Sequence, residues 1–202
     1  MTSEEDLPPH IDEHHIDEHP IGEHPVDRRR PDQPRIDPLG SLATGQRSLG
    51  DPAIAYPLWP PLVRGCPRTG TDETDYPVEV DYAYADVPPD LFERRTPRGG
   101  LERWAPLLPP LHAPGLGEGN TPLVDLGAGV FVKDESRNPT WSHKDRINRC
   151  TVSAAAAIGA PGVVVSSSGN HGASAAAFAA RAGLPCVVFA SAGGPPAVDS
   201  FL

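Results

Sequence analysis

Two short apolar runs, Val163-Val164-Val165-Ser166 and Val187-Val188-Phe189, flank an Ala-rich stretch that opens at Asn170 and stops at Gly183. Neither run alternates apolar with polar residues, so each suits a strand covered on both faces. The stretch between them fits a helix, with Gly183 as the left-handed residue just past its end. A second Ala-rich helix is predicted near 143–158, ending at Gly159, and Val130-Phe131-Val132-Lys133 reads as a strand before it. Strand, helix, strand, helix, strand predicts right-handed crossovers and consecutive parallel strands over 130–190. The expected class is α/β, an open parallel sheet with flanking helices. Ala173, Ala176, Ala177 and Ala180 share one helix face, predicted to lie close against that sheet.

The first helix is entered through Asn138-Pro139-Thr140-Trp141-Ser142-His143-Lys144-Asp145-Arg146. Asn138 and Pro139 break the strand pattern, and Ser142 with Asp145 three residues on resembles a capping box. Lys144 would then lie in the first turn, where unpaired N–H groups and the positive helix end favour a neutral, nucleophilic amine. The chain holds only two lysines, Lys133 and Lys144. Spacing alone leaves either as an ordinary solvated charge. Downstream, Ser166-Ser167-Ser168-Gly169-Asn170-His171-Gly172 sits at the C-terminal end of a predicted parallel strand, where ligands collect in open α/β sheets. The helix start that follows favours an anion, a phosphate or a carboxylate. A plain helix-capping turn is the alternative there.

The run from Lys133 to Arg146 resembles the lysine segment of threonine synthase and its fold-type II relatives, which are pyridoxal-phosphate enzymes. Gly117-Glu118-Gly119-Asn120-Thr121-Pro122-Leu123 upstream and Ser167-Ser168-Gly169-Asn170-His171-Gly172 downstream resemble two further motifs of that family, in the family's order. The resemblance implies pyridoxal 5'-phosphate as cofactor, with a Schiff base at Lys144 and Asn170 against the cofactor's 3'-oxygen. It implies a substrate-carboxylate loop at Ser168, Gly169 and His171, with Thr121 nearby. His143 resembles a tryptophan synthase β feature that helps hold the cofactor phosphate, whereas Trp141 stands where glycine is usual. The family's Gly-rich phosphate loop lies in its C-terminal half. The resemblance therefore covers about residues 100–202 and implies a fold incomplete at the C-terminus. The reaction implied is that of a carbon–oxygen lyase, O-phosphohomoserine to threonine plus phosphate. A threonine or serine dehydratase, another β-replacement enzyme, and an inactive fragment or regulatory paralogue are the alternatives. A small amino-acid substrate is the partner implied, and a homodimer is allowed.

The remainder divides into a tail over 1–50, a β-rich lead-in over 51–100 and the cofactor domain over 101–202. Residues 1–50 carry 5 basic and 11 acidic side chains, whereas the last hundred are nearly neutral. An acidic front argues against nucleic-acid binding. Ile11-Asp12-Glu13-His14, Ile16-Asp17-Glu18-His19 and Ile21-Gly22-Glu23-His24 repeat with a five-residue period that suits neither helix nor strand. With prolines interspersed, disorder is expected to about residue 50. In the lead-in, Tyr76 to Tyr82 alternates like a strand. Cys66-Pro67-Arg68-Thr69-Gly70 resembles half of the Cys-x-x-Cys zinc ribbon that some threonine-synthase-like proteins carry here, with threonine at the second cysteine position, and one thiolate cannot hold a structural zinc. No metal is expected. The three unclustered cysteines suit reduced thiols, and no apolar run approaches the roughly 20 residues of a membrane span. A cytoplasmic protein away from membranes is expected.

Overall fold

From residue 43 the chain forms a small antiparallel sheet of β1 (Ala43–Ser48), β2 (Ala55–Tyr56) and β3 (Val78–Tyr82), with β1 in the middle. The computed structural model describes residues 40–93, 99–191 and 196, so the pentad repeat lies outside the described residues. The expected disorder to about residue 50 is corrected by β1, which pairs on both sides. Its sequence, Ala-Thr-Gly-Gln-Arg-Ser, has no apolar alternation to announce a strand. Polar side chains hold it instead. The buried Gln46 amide donates to the carbonyls of Pro57 at 2.8 Å and Pro60 at 3.0 Å, and its oxygen accepts from Leu62 N at 2.8 Å. Arg47 pairs with Glu79 and Asp81 on β3.

Cys66 is buried beside this sheet, its sulfur 3.0 Å from the Tyr56 hydroxyl. The Ser48 and Thr69 hydroxyls lie 3.0 Å from each other. Burial pushes the Cys66 thiol up, but hydrogen bonds from Ser48, Thr69 and Tyr56 outweigh it and bring the group down to about 6. No cluster of three or more His, Cys, Asp or Glu groups occurs among the described residues.

The sheet is tied to the 3-10 helix over Gly100–Leu107, since Leu42 N donates to Pro106 O at 3.2 Å and Ser41 Oγ to Leu108 O at 2.5 Å. Next come β4 (Leu123–Gly127) and β5 (Val130–Lys133). The strand expected at 130–133 is present, but it pairs antiparallel with β4 rather than joining a parallel sheet. Gly127, Ala128 and Gly129 all take positive φ and reverse the chain at once, whereas a parallel partner needs a crossover of a dozen residues or more.

Beyond this hairpin lie α1 (Lys144–Ala157), β6 (Val163–Ser166), α2 (Asn170–Ala182) and β7 (Cys186–Phe189). Strands β6 and β7 pair parallel, from Val163 opposite Cys186 to Ser166 opposite Phe189. Val152 of α1 and Phe178 of α2 form the core with Ala113, flanked by Ala156, Ala182 and Leu184. Two expectations are corrected here. The β6–β7 pair is covered on one face only among the described residues, leaving Val164 72% and Phe189 64% exposed. Ala173 is buried as expected, but the buried stripe of α2 runs on through Ala175, Phe178 and Ala179, with Ala176 and Ala177 half-buried and Ala180 facing solvent. The stripe has turned because α2 packs against α1 as well as against the strands.

Candidate active site

Lys144 is the first residue of α1, and its side chain is half-buried. Among the described residues no hydrogen bond or ion pair engages its amine. Lys133 differs, because its amine donates to the Thr121 carbonyl. The chain reaches Lys144 through a tight turn in which Trp141 N donates to Asn138 O at 2.9 Å and Trp141 sits at φ 58. That left-handed conformation costs a residue with a Cβ about 1–2 kcal/mol. Glycine would occupy it freely, and the tryptophan instead leaves its indole 69% exposed.

The helix start is fastened differently from the expected Ser142–Asp145 box. Ser142 Oγ accepts from Lys144 N at 3.2 Å, and the residue before the helix, the exposed His143, makes no side-chain cap. Asp145 reaches past Ser142 to Thr140, accepting from its backbone N at 2.7 Å and from its hydroxyl. The same carboxylate takes the Ser174 hydroxyl of α2 at 2.6 Å, and Asp145 is 0% exposed. One turn on, Asn148 Nδ2 lies 3.2 Å from His171 Nδ1 and donates to the His171 carbonyl at 3.3 Å. With Val152 and Phe178 in one buried cluster further along, and Ala156 and Ala182 packed against that cluster, the two helices run side by side with their N-termini at the same end.

That end also receives the loop leaving β6. Ser167 N donates to Phe189 O at 2.9 Å, and Gly169 N to Ser167 Oγ at 3.3 Å. Ser168 and Asn170 are exposed, and Gly169 and His171 are half-buried. A Cβ placed on Gly169 would meet nothing within 4 Å, so the backbone there borders open space. Thr121 is not in the open. It is buried, donating from its hydroxyl to Glu135 Oε1 at 2.7 Å and accepting from Arg146 Nη2 at 3.1 Å.

Around Thr121 lies a polar network that spacing did not reveal. Arg146 bonds both oxygens of Glu135, and Asn138 Nδ2 donates to Glu135 Oε2 at 2.8 Å. Asn138 Oδ1 accepts from Gly119 N at 2.9 Å. The Gly-rich turn, the 135–138 turn and the first turn of α1 are thereby joined. Behind them Arg149 and Glu118 are each 2% exposed in their side chains. Arg149 Nη2 donates to Glu102 at 3.0 Å, while its Nε stands 3.0 Å from Glu118 Oε1 without hydrogen-bond alignment. Asp145, Ser174, Asn148 and this network carry the site's geometry. Thr121, Glu135, Asn138 and Arg146 stood inside the quoted motifs and Asp145 gave the signal of a cap, but nothing in the sequence pointed to Ser174 or Asn148.

An uncommitted amine, two adjacent helix N-termini and an open glycine backbone form a donor set for an anion that also bears a carbonyl. A family model described as "Pyridoxal-phosphate dependent enzyme" covers these elements. Residues 115–200 match it. The cofactor of that family is pyridoxal phosphate, and the donor set at Lys144 and the α2 loop fits such a phosphate-bearing aldehyde. The chain is 43% identical over 103 residues to a threonine synthase of Halalkalibacterium halodurans, covering 45% of this chain and 28% of that one. A Synechocystis threonine synthase is 42% identical over 105 residues, covering 45% and 27%. A 2-amino-4-ketopentanoate thiolase beta subunit from an unknown prokaryotic organism is 38% identical over 87 residues, covering 36% and 18%. The chain thus spans less than a third of each relative. No helix among the described residues is long and apolar enough to cross a membrane.

Proposed function

We propose that this chain carries the lysine-bearing part of a pyridoxal-phosphate lyase of threonine-synthase type, acting on O-phosphohomoserine to give threonine and phosphate. The observation that supports it most is Lys144 at the start of α1, its amine bonded to no described residue, on a helix whose N-terminus lies beside that of α2. Lys144 would bond the cofactor aldehyde, and its amine would carry protons to and from the substrate. His143 and the start of α1 would hold the phosphate, and Asn170 would contact the ring oxygen. Ser168, Gly169 and His171 bind the substrate carboxylate through the start of α2, and Thr121 braces the wall behind. When bound, pyridoxal phosphate supplies the electron sink that lets an amino acid lose its leaving group. On this reading the sheet is open and parallel, extended by strands of a longer fold. The protein is cytoplasmic and its assembly a homodimer.

A second reading, a dehydratase or another β-replacement enzyme, draws on His143 and on the likeness to the thiolase beta subunit. Product analysis separates the two. The first expects threonine and phosphate from O-phosphohomoserine, and the second a 2-oxo acid with ammonia, or a replacement product. The cofactor assignment is tested by the visible absorbance of the chain with pyridoxal phosphate. Lys144→Ala is expected to abolish it and Lys133→Ala to keep it. Absorbance surviving Lys144→Ala would reject the assignment.

A further inference from the structure

We propose that Asp145 is a positioning residue that, through Ser174, sets where Lys144 stands against the loop at the start of α2. This rests on the reading of Lys144 as the cofactor lysine. The Asp145 carboxylate is fully buried, and its donors are the Thr140 backbone N, the Thr140 hydroxyl and the Ser174 hydroxyl. It is held by neutral donors alone, so each donor lost leaves a buried carboxyl oxygen short of a bond. An apolar contact such as Val152 against Phe178 joins the same helices without that desolvation cost, but it tolerates sliding. Oδ2 takes the turn before the helix, while Oδ1 takes both that turn and α2. Asp145 therefore ties the turn before α1 to the first turns of α2, the helix that leads out of the 167–169 loop. Lys144 is its neighbour in the chain, so any shift of Asp145 moves the Lys144 backbone with it. Asn148 against His171 supplies a second tie, three residues on along α1 and three back along α2.

The test compares the full chain with Ser174→Ala and Thr140→Val, each of which removes one hydroxyl donor and leaves the carboxylate in place. Pyridoxal phosphate followed by borohydride labels lysines, and peptide mass spectrometry gives the ratio of Lys144 to Lys133 labelling. Amide hydrogen exchange over 140–146 and the unfolding midpoint are read alongside. Losing a bond to a buried carboxyl oxygen is expected to lower the Lys144 to Lys133 ratio about tenfold and raise exchange over 140–146 by a similar factor. The unfolding midpoint should move by only a few degrees. A merely structural role would change both lysines together and leave the ratio constant. An unchanged ratio in a folded variant overturns the proposal, and should Ser174→Ala fail to fold, Thr140→Val at its half-buried turn decides. If the unaltered chain fails to label Lys144, the cofactor reading fails. Exchange then decides the role of Asp145 separately: a rise supports it and no rise overturns it.

Discussion

Arg146 lays its guanidinium across Glu135, Nε on Oε2 at 2.8 Å and Nη2 on Oε1 at 2.9 Å. The hydrogen bonds from Arg146 are the main reason the Glu135 carboxyl is held down at about 2, against 4.5 ordinarily, with Thr121 and Asn138 adding to them. Two elements far apart in the sequence's hydropathy pattern are joined here: the turn after β5 and the first turn of α1.

Its pH dependence follows from the sign. A carboxyl depressed in the folded state contributes stability that is full above about 4.5 and lost as pH falls through about 2. Glu135→Gln is expected to cost about 1–2 kcal/mol at neutral pH, because the pair is partly buried and bidentate. Denaturant titrations at several pH values should show that difference shrinking steadily below 4.5. A cost independent of pH would contradict the pairing.

Cys66 is expected to be a thiolate at neutral pH, with an ultraviolet thiolate signal titrating near 6, while burial holds Cys150 up at about 11. Tyr56→Phe and Thr69→Val should each move the Cys66 midpoint upward, since each removes a donor to sulfur. The thiolate adds stability that is full above 9 and lost as pH falls through about 6. Elemental analysis should find no stoichiometric zinc, because a Thr69 hydroxyl is a poor substitute for a thiolate. One zinc held per chain would refute that.

Gly100 sits at φ +64, where an added Cβ would lie 2.2 Å from the Glu118 carbonyl. Leu101 N donates to that same carbonyl at 2.9 Å, so the backbone has little room to retreat. Gly100→Ala is expected to cost about 2–4 kcal/mol, combining strain with overpacking. Gly129→Ala, at φ +76 with nothing within 4 Å, should cost only the backbone strain of about 1 kcal/mol. Equal effects at the two positions would mean that the contact with Glu118 carries no energy.

The helices and the β6–β7 pair were legible because their signals are local. Gly159 and Gly183 end the helices as expected, both at positive φ, and the two Val-rich runs pair parallel. Partnership was less legible. Val130–Lys133 reads as a strand in either setting, and only the left-handed Gly127-Ala128-Gly129 turn decides that it folds back on β4. Strand β1 was hidden because Gln46 and Arg47 stabilise it through hydrogen bonds that hydropathy cannot register. Lys144 stood out through its motif. The tie from Asp145 to Ser174 spans 29 residues and had no sequence signal, since a lone serine among alanines on α2 does not announce its partner.

Trapping pyridoxal phosphate on the full chain with borohydride, then locating the label by peptide mass spectrometry, tests the central assignment most directly. The chain has two lysines, and the structure separates them: Lys133 donates to Thr121 O, while the Lys144 amine at the start of α1 is bonded to no described residue. The account predicts the label chiefly on Lys144, with only a minor fraction on Lys133, and Lys144→Ala left with no more than that minor fraction. A label found chiefly on Lys133, or spread equally over both lysines, would contradict it.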